Sequence, residues 1–340
     1  MRFLKKILVV SLAGFFLSSA VCGAKGDNKA YVVEEQGRKT WRTLFDKRMP
    51  TSAQQWEYAR GIQEKGRLKK AERLMLYLVR RWPNCKEAPQ AQRARADMFY
   101  ARKKLKDAFR QYQYLIDNYS SRMVDYNSVL ESQFKIAVDT MERRRMRWLF
   151  GGYRAPEYAV DLFEDIIRNG PQWVRAPEAQ FLIGKAYQES NELELAIAGY
   201  GVLGYRYPDC PFAEEAAWQR IICLDKLRKE FPNDLEVLDR TLTATTVFLT
   251  TYPDSERKGK IIQMRNALYE VKAQKMFDQA AFYAKVPKKA KAALIYYQKM
   301  IEEYPKSKLV PEAQKRIEEL DLLVNPRVST PPVTGKGSKK

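Results

Sequence analysis

The chain contains no histidine among its 340 residues. That absence removes the Ser-His-Asp and Cys-His catalytic arrangements and every zinc site that uses imidazole. Carboxylate or lysine chemistry stays open, but the commonest general base is missing. Cysteine is scarce, with four residues in all. Beyond Cys22 there are Cys85, Cys210 and Cys223, an odd number, so at least one thiol must stay free even in an oxidising compartment. Cys85 and Cys210 each follow a proline by two residues at equivalent places in different repeats, too far apart along a stacked array to reach disulfide distance. All three are expected to be packed or reduced, with no bridge and no metal. No glycine-rich phosphate loop is present, and no run of strand alternation has useful length. Acidic residues are outnumbered, 41 against 61 Lys and Arg, which leaves a net charge of +20 and a pI near 9.6. Such an imbalance points to an acidic partner, nucleic acid or an anionic membrane surface.

Long apolar runs are also missing, except at the start. Arg2, Lys5 and Lys6 precede an apolar segment from Ile7 to Leu17 that is short for a bilayer span, and small residues follow from Ser18 to Ala24. This is the pattern of an export signal over residues 1–24. Two outcomes of processing are open. Cleavage at Cys22-Gly23-Ala24 would release a soluble chain, whereas lipidation of Cys22 would anchor it. Ser19-Ala20-Val21 is a poor form of the Leu-Ala-Gly pattern that precedes a lipidated cysteine.

What the chain has in quantity is repetition. An aromatic-proline corner recurs at Trp82-Pro83, Tyr207-Pro208, Tyr252-Pro253 and Tyr304-Pro305, with Tyr119-Ser120 and Gly170-Pro171 as variants. Trp82 to Tyr119 and Gly170 to Tyr207 are each 37 residues, and the other spacings run from 45 to 52. Between corners, small residues recur where paired helices must approach closely. These are Ala59 and Ala71, Ala96 and Ala108, Gly184 and Ala196, and Ala281 and Ala293. Large partners keep the same register: Ile62, Leu68 and Met75; Phe99, Leu105 and Tyr112; Tyr187, Leu193 and Tyr200; Ala284, Ala290 and Tyr297. The period and pattern are those of tetratricopeptide repeats with lengthened helices or insertions. The predicted fold is all-α, a tetratricopeptide-type helical repeat solenoid of five to six helix pairs over residues 51–323. A polar tether (25–50) precedes it and a basic disordered tail (324–340) follows.

Two units depart from the pattern. In the third, Ala159 and Phe163 fit a second helix, but Trp148 to Ala155 reads as an insertion with Gly151-Gly152 as a turn. In the fifth, Thr241, Thr245 and Phe248 replace the small and aromatic residues, so that helix must rely on tertiary packing. Residues Ser255 to Tyr283 read as one long helix with Ser255 as N-cap, and Ser307 to Leu323 as a closing helix.

No constellation amounts to a catalytic or metal site, and no cofactor is expected; the chain reads as a binding protein, not an enzyme. The faces of the first helices suit extended peptides, and the groove candidates are Trp56, Tyr58, Arg60, Arg95 and Tyr100. The densest basic run offers Arg143, Arg144 and Arg147 as a docking surface, with Arg143 and Arg147 on one helical face at i, i+4, though cations also suit a helix C-terminus. Nucleic acid is set aside, because the aromatic positions follow the packing pattern and an exported protein meets little of it.

The stretch YPDSERKGKIIQMRNALYEVKAQKMFDQAAFYAKVPKKAKAALIYYQKMIEEYPKSKLVPEAQKRIEEL, from Tyr252 to Leu320, resembles the outer-membrane protein assembly lipoproteins of the BamD type. Trp56 to Tyr119 resembles that family's first repeats. The resemblance implies a lipid-anchored protein, on Cys22, at the periplasmic face of the outer membrane. It implies binding to the periplasmic domains of a β-barrel insertase through Tyr252 to Pro305, and to unfolded outer-membrane proteins through Trp56 to Tyr119. The corner motif is shared with periplasmic scaffolds of the Tol-Pal and cell-division type, which leaves a soluble envelope-maintenance scaffold as the alternative.

Overall fold

A computed structural model describes residues 46–146, 152–286 and 288–324. The signal segment with Cys22, most of the tether, Arg147 and the tail from residue 325 lie outside the described residues. Thirteen α-helices occupy the described chain. They are α1 (Ser52–Glu64), α2 (Leu68–Arg81), α3 (Ala88–Ala101), α4 (Leu105–Tyr119), α5 (Tyr126–Glu142), α6 (Val160–Asn169), α7 (Ala176–Glu189), α8 (Leu193–Arg206), α9 (Ala213–Glu230), α10 (Leu235–Thr251), α11 (Lys258–Lys285), α12 (Ala290–Glu303) and α13 (Val310–Val324). They form six consecutive pairs and a closing helix, an all-α repeat fold of the tetratricopeptide type.

The chain divides into two compact units, one ending at Leu74 and one beginning at Met75. In the first unit, Ala59 on α1 and Ala71 on α2 are fully buried, and the amide of Gln55 donates to the Leu74 carbonyl at 3.3 Å. In the second unit each helix packs on the next in sequence, from α3 through α13. Layer stacks on layer with few longer-range contacts, as repeat arrays do.

Five corners share one backbone scheme. The residue at the corner donates to the carbonyl four back (Trp82 to Leu78, Gly170 to Ile166, Tyr207 to Leu203, Tyr252 to Phe248, Tyr304 to Met300). The residue three later (Cys85, Trp173, Cys210, Ser255, Ser307) donates back to the corner carbonyl, and its own carbonyl accepts from the first residue of the next helix. Proline after the corner residue cannot continue a helix, so the preceding helix stops there. This scheme corrects the reading of Ser255 as an N-cap. It stands three residues ahead of α11, where its hydroxyl donates to Glu214 at 2.7 Å and accepts from the Arg257 amide at 3.1 Å. Ser307 repeats the arrangement with Glu270 and the Leu309 amide. Cys85 and Cys210 sit at the same corner position.

The Gly170 corner lacks the aromatic ring for a steric reason. A Cβ at Gly170 would stand 2.6 Å from Leu130 Cδ1. The ring appears three residues later as Trp173, which packs edge-on against Phe134 at 5.8 Å.

The turns within pairs are as uniform as the corners. Gly66, Lys103, Asn191 and Lys288 all have positive φ, between 58° and 71°, and each lies two residues before the second helix of its pair. In the last pair that turn is one residue longer. The fully buried alanine there is accordingly Ala280, not Ala281, which is half-buried.

The third pair carries the insertion. Ala137 and Ala159 are both fully buried, but they stand 22 residues apart, where the equivalent pairs Ala59–Ala71, Ala96–Ala108 and Gly184–Ala196 are 12 apart. The extra length holds a two-stranded antiparallel ribbon, β1 (Arg144–Met146) and β2 (Gly152–Arg154), which pairs Arg144 with Arg154, Arg145 with Tyr153 and Met146 with Gly152. The strands were not expected, and they correct the helical placement of Arg143, while Arg147 lies outside the described residues. Helix α5 ends at Glu142, and Arg143 is extended at φ −66°, ψ 122°. Like charges at i, i+4 disfavour helix, and the Gly-Gly turn favours a reversal.

In the fifth pair the threonines are accommodated without orphaned polar atoms. Thr241 and Thr245 are fully buried, and their hydroxyls donate to Val237 and Leu242 carbonyls of their own helix, each at 2.7 Å.

Candidate protein-docking groove

Helix α8 is glycine-rich, LELAIAGYGVLGYR, and it is held against α7 by close backbone crossing. Gly199 and Gly184 meet there, and the amide of the buried Gln180 donates to the Gly199 carbonyl at 3.0 Å. With α8 drawn down onto α7, a groove of about 810 Å³ opens over α7 between α6 and α8. Its α8 wall is a single helical face, Leu195, Ala198, Gly199, Val202 and Arg206, spaced at i, i+3, i+4, i+7 and i+11. Ile183 and Tyr187 on α7 form the floor, and Ile167 on α6 the opposite wall. Leu195 is 46% exposed and Val202 37% exposed, so the stripe is open to a partner.

Polar groups stand at the rim. Arg168 is bonded to Asp165 at 2.6 Å, and Glu164 and Arg206 are exposed. Burial raises the carboxyl pKa of Asp165 against the opposing pull of Arg168. The phenol of Tyr187 is raised by burial and then by the nearby Glu164, Asp161 and Glu192. An apolar trough with charged edges suits a polypeptide segment presenting apolar side chains on one side.

A smaller pocket of about 280 Å³ lies between α3, α4 and the start of α5. Leu115, Met123, Val124 and Val129 line it beneath Lys86, Arg93 and Arg122. Among the described residues no group of His, Cys, Asp and Glu could hold a metal ion, and no helix is long and apolar enough to cross a membrane.

A family profile described as "YfiO: Outer membrane lipoprotein" matches residues 153–323, half of the chain. The chain belongs to the YfiO outer membrane lipoprotein family. The YfiO region begins within β2 and runs through α13, so it contains the 810 Å³ groove entire. No curated relative matches the sequence. Among solved structures, the chain overlaps a tetratricopeptide repeat protein from Parabacteroides merdae ATCC 43184 at 13% identity, with 78% of this chain and 98% of that one covered and a TM-score of 0.30. It overlaps the apo form of RapI at 12% identity over 86% and 80%, with a TM-score of 0.31. It also overlaps the TPR2AB domain of yeast Sti1 in a pHSP90 complex, at 12% identity over 79% and 98%, with a TM-score of 0.24.

The groove candidates named from sequence precede the YfiO region and fall in both compact units. In the first, Trp56 and Tyr58 are half-buried and Arg60 is exposed. The Arg60 guanidinium stands 5.9 Å from the Trp56 ring and 3.6 and 3.7 Å from Glu57 and Glu64. Such exposed pairs orient a side chain more than they stabilise the fold. In the second, Arg95 is only 2% exposed and bonds Gln92 at 3.0 Å, so it belongs to the packed interior, where no docked chain reaches it. Tyr100 is half-buried and donates to Asp139 on α5 at 2.8 Å, a bond that, with burial, raises its phenol pKa. Of the basic run, Arg143 is exposed at the end of α5, Arg144 is in β1, and Arg147 lies outside the described residues.

Two features escaped sequence reasoning. One is the groove walled by α8, a second helix, whose apolar stripe has the same spacing as a core-facing one. The other is a buried glutamine four residues before the small residue of the first helix in each of the first four pairs: Gln55, Gln92, Gln133 and Gln180 before Ala59, Ala96, Ala137 and Gly184. Three of them donate to the carbonyl nineteen residues on, at Leu74, Gln111 and Gly199. Gln133 donates to the Gln113 side chain, because the ribbon occupies the nineteenth position in its repeat. The pattern Gln-x-x-x-Ala/Gly was there to be read.

Proposed function

We propose that this protein is a non-enzymatic scaffold of outer-membrane β-barrel assembly, anchored in the envelope by a lipid on Cys22. The observation that carries the reading is the YfiO match over the groove-bearing repeats. The export pattern before Cys22 supports it, as does the apolar trough over α7, which is built to hold chain without doing chemistry on it. In this reading the repeats from Tyr252 to Pro305 hold the periplasmic domains of the insertase. The repeats from Trp56 to Tyr119 receive unfolded barrel proteins, with Trp56, Tyr58, Arg60 and Tyr100 as contacts. The basic run Arg143, Arg144 and Arg147, set in the insertion of the third repeat, is an additional docking surface.

The test is purification of the tagged full chain from mildly solubilised membranes, with mass spectrometry of its N-terminus. The expected result is a diacylated Cys22 and co-purification of a β-barrel insertase. A soluble chain beginning at Lys25, with no insertase recovered, would overturn the proposal.

A further inference from the structure

Arg228 on α9, Arg240 on α10 and Arg257 ahead of α11 are each paired, whereas Arg220 is not. Arg228 bonds Asp225, Arg257 bonds Glu214 and Glu215, and Arg240 grips Glu194 with two bonds of 3.0 and 2.8 Å. Arg220 on α9 is half-buried, its Nε is shielded from solvent with no hydrogen-bond partner, and it makes no ion pair among the described residues. Burial, and then repulsion from Arg240, push its pKa down, as expected of a cation without a counter-charge. A guanidinium left desolvated and unpaired costs stability that a carboxylate would return.

The surface beside it is bare. A Cβ at Gly201 on α8 would stand 3.7 Å from Arg220 Nε and 3.8 Å from Cζ, so any larger side chain there would cover the guanidinium. Packing does not force this glycine, because those are ordinary contact distances. Gly204, one turn on, has nothing within 4 Å of its notional Cβ. Helix-interior glycines each cost about 0.5–1 kcal/mol relative to alanine, yet Gly201 stands where it leaves Arg220 uncovered from α8. Tyr205, four residues after Gly201, is 88% exposed. The Glu194–Arg240 pair links α8 to α10 alongside.

We propose that Arg220 is the anion-recognition residue of a docking surface on α8, α9 and α10 that takes an acidic segment of a partner protein. An Asp or Glu of the partner sits on the guanidinium, its backbone crosses the bare helix at Gly201 and Gly204, and Tyr205 closes over it. Arginine suits this role because its planar fork holds a carboxylate through two bonds. Tyr and Arg are also the side chains most often found to dominate binding energy at interfaces. A protein segment fits better than a lipid surface, because Arg220 is half-buried, so the carboxylate that meets it must reach in over Gly201. The proposal extends the scaffold reading by naming a surface and the chemistry of its partner.

The test is fluorescence anisotropy of the full chain with a labelled oligoglutamate peptide at low salt. Binding is expected to weaken about tenfold in Arg220→Gln, or 1.4 kcal/mol, less in Arg220→Lys, and clearly in Gly201→Leu, which covers the site without removing charge. Lys315→Gln, on the exposed face of α13, removes the same charge and should change binding less than twofold. Arg220→Leu should melt no lower than the parent; a lower melting temperature would assign Arg220 a structural role and overturn the proposal. Equal effects of Arg220→Gln and Lys315→Gln, or no peptide binding, would also overturn it. So would Arg220-dependent sedimentation with phosphatidylglycerol-containing vesicles in place of peptide binding. Insertase recovery from membranes is a separate readout, so failure here leaves the assembly reading standing.

Discussion

Gly199 on α8 crosses Gly184 on α7 so closely that a Cβ added to Gly199 would stand 3.1 Å from the Gly184 Cα. A Cβ added to Gly184 would meet the Tyr200 ring at 2.6 Å. This contact sets the depth of the 810 Å³ groove, because it fixes how far α8 sinks onto its floor. Gly184→Ala forces either the buried Tyr200 ring or the helix to move, an overpacking that costs about 1–3 kcal/mol. Gly204→Ala, on α8, meets nothing within 4 Å and should stabilise by about 0.5–1 kcal/mol. Urea denaturation of the two variants should therefore move the midpoint in opposite directions. Equal shifts would show that the crossing does not constrain α8.

The left-handed turn residues offer a second comparison. Lys288 has φ 64° where the equivalent residue of the first repeat is Gly66 at φ 71°. A lysine held there stores strain of about 1–3 kcal/mol, part of which glycine returns in the freedom of the unfolded chain. Lys288→Gly should raise stability by roughly 0.5–1 kcal/mol and Gly66→Ala should lower it by a similar amount. Differential scanning calorimetry checks both, and a destabilised Lys288→Gly would refute the argument.

The fold was legible because its constraints are local and repeated. Small residues at Ala96 and Ala108, and proline after Tyr252 and Tyr304, each leave a sequence mark that recurs in register. What was illegible depended on neighbours brought in by the fold. Nothing local shows that Leu130 would occupy the ring space at Gly170, or that Arg95 would turn inward onto Gln92. The ribbon at Arg144–Met146 hid behind a charge pattern that reads equally as a helix end. The groove over α7 was missed because its stripe, Leu195, Ala198 and Val202, looks like ordinary core until the position of α6 is known.

The buried glutamines give a third prediction. Gln180 is 5% exposed, and its amide satisfies the Gly199 carbonyl at the helix crossing. Gln180→Met keeps the volume but removes the donor, leaving a buried carbonyl without its side-chain partner. The cost should be about 1–3 kcal/mol, read as a lowered urea midpoint with unchanged slope. Gln274→Met, which removes an exposed bond to Asp278, should cost less.

Titration of the phenols gives a fourth. Burial pushes Tyr119 up to about 12, with Tyr114 adding to the shift and Arg122 opposing it, and burial likewise raises Tyr112 and Tyr200. The folded chain therefore holds these protons at a pH where the unfolded chain, with phenols near the ordinary value of about 10, releases them. Stability from this source is complete below about pH 10 and is lost as pH climbs from there through 12. Melting temperature should hold between pH 8 and 9.5 and then fall steadily. Tyr119→Phe removes one ionisable group and should flatten that fall. Identical alkaline profiles for the parent and Tyr119→Phe would show that the corner tyrosine does not carry the linkage.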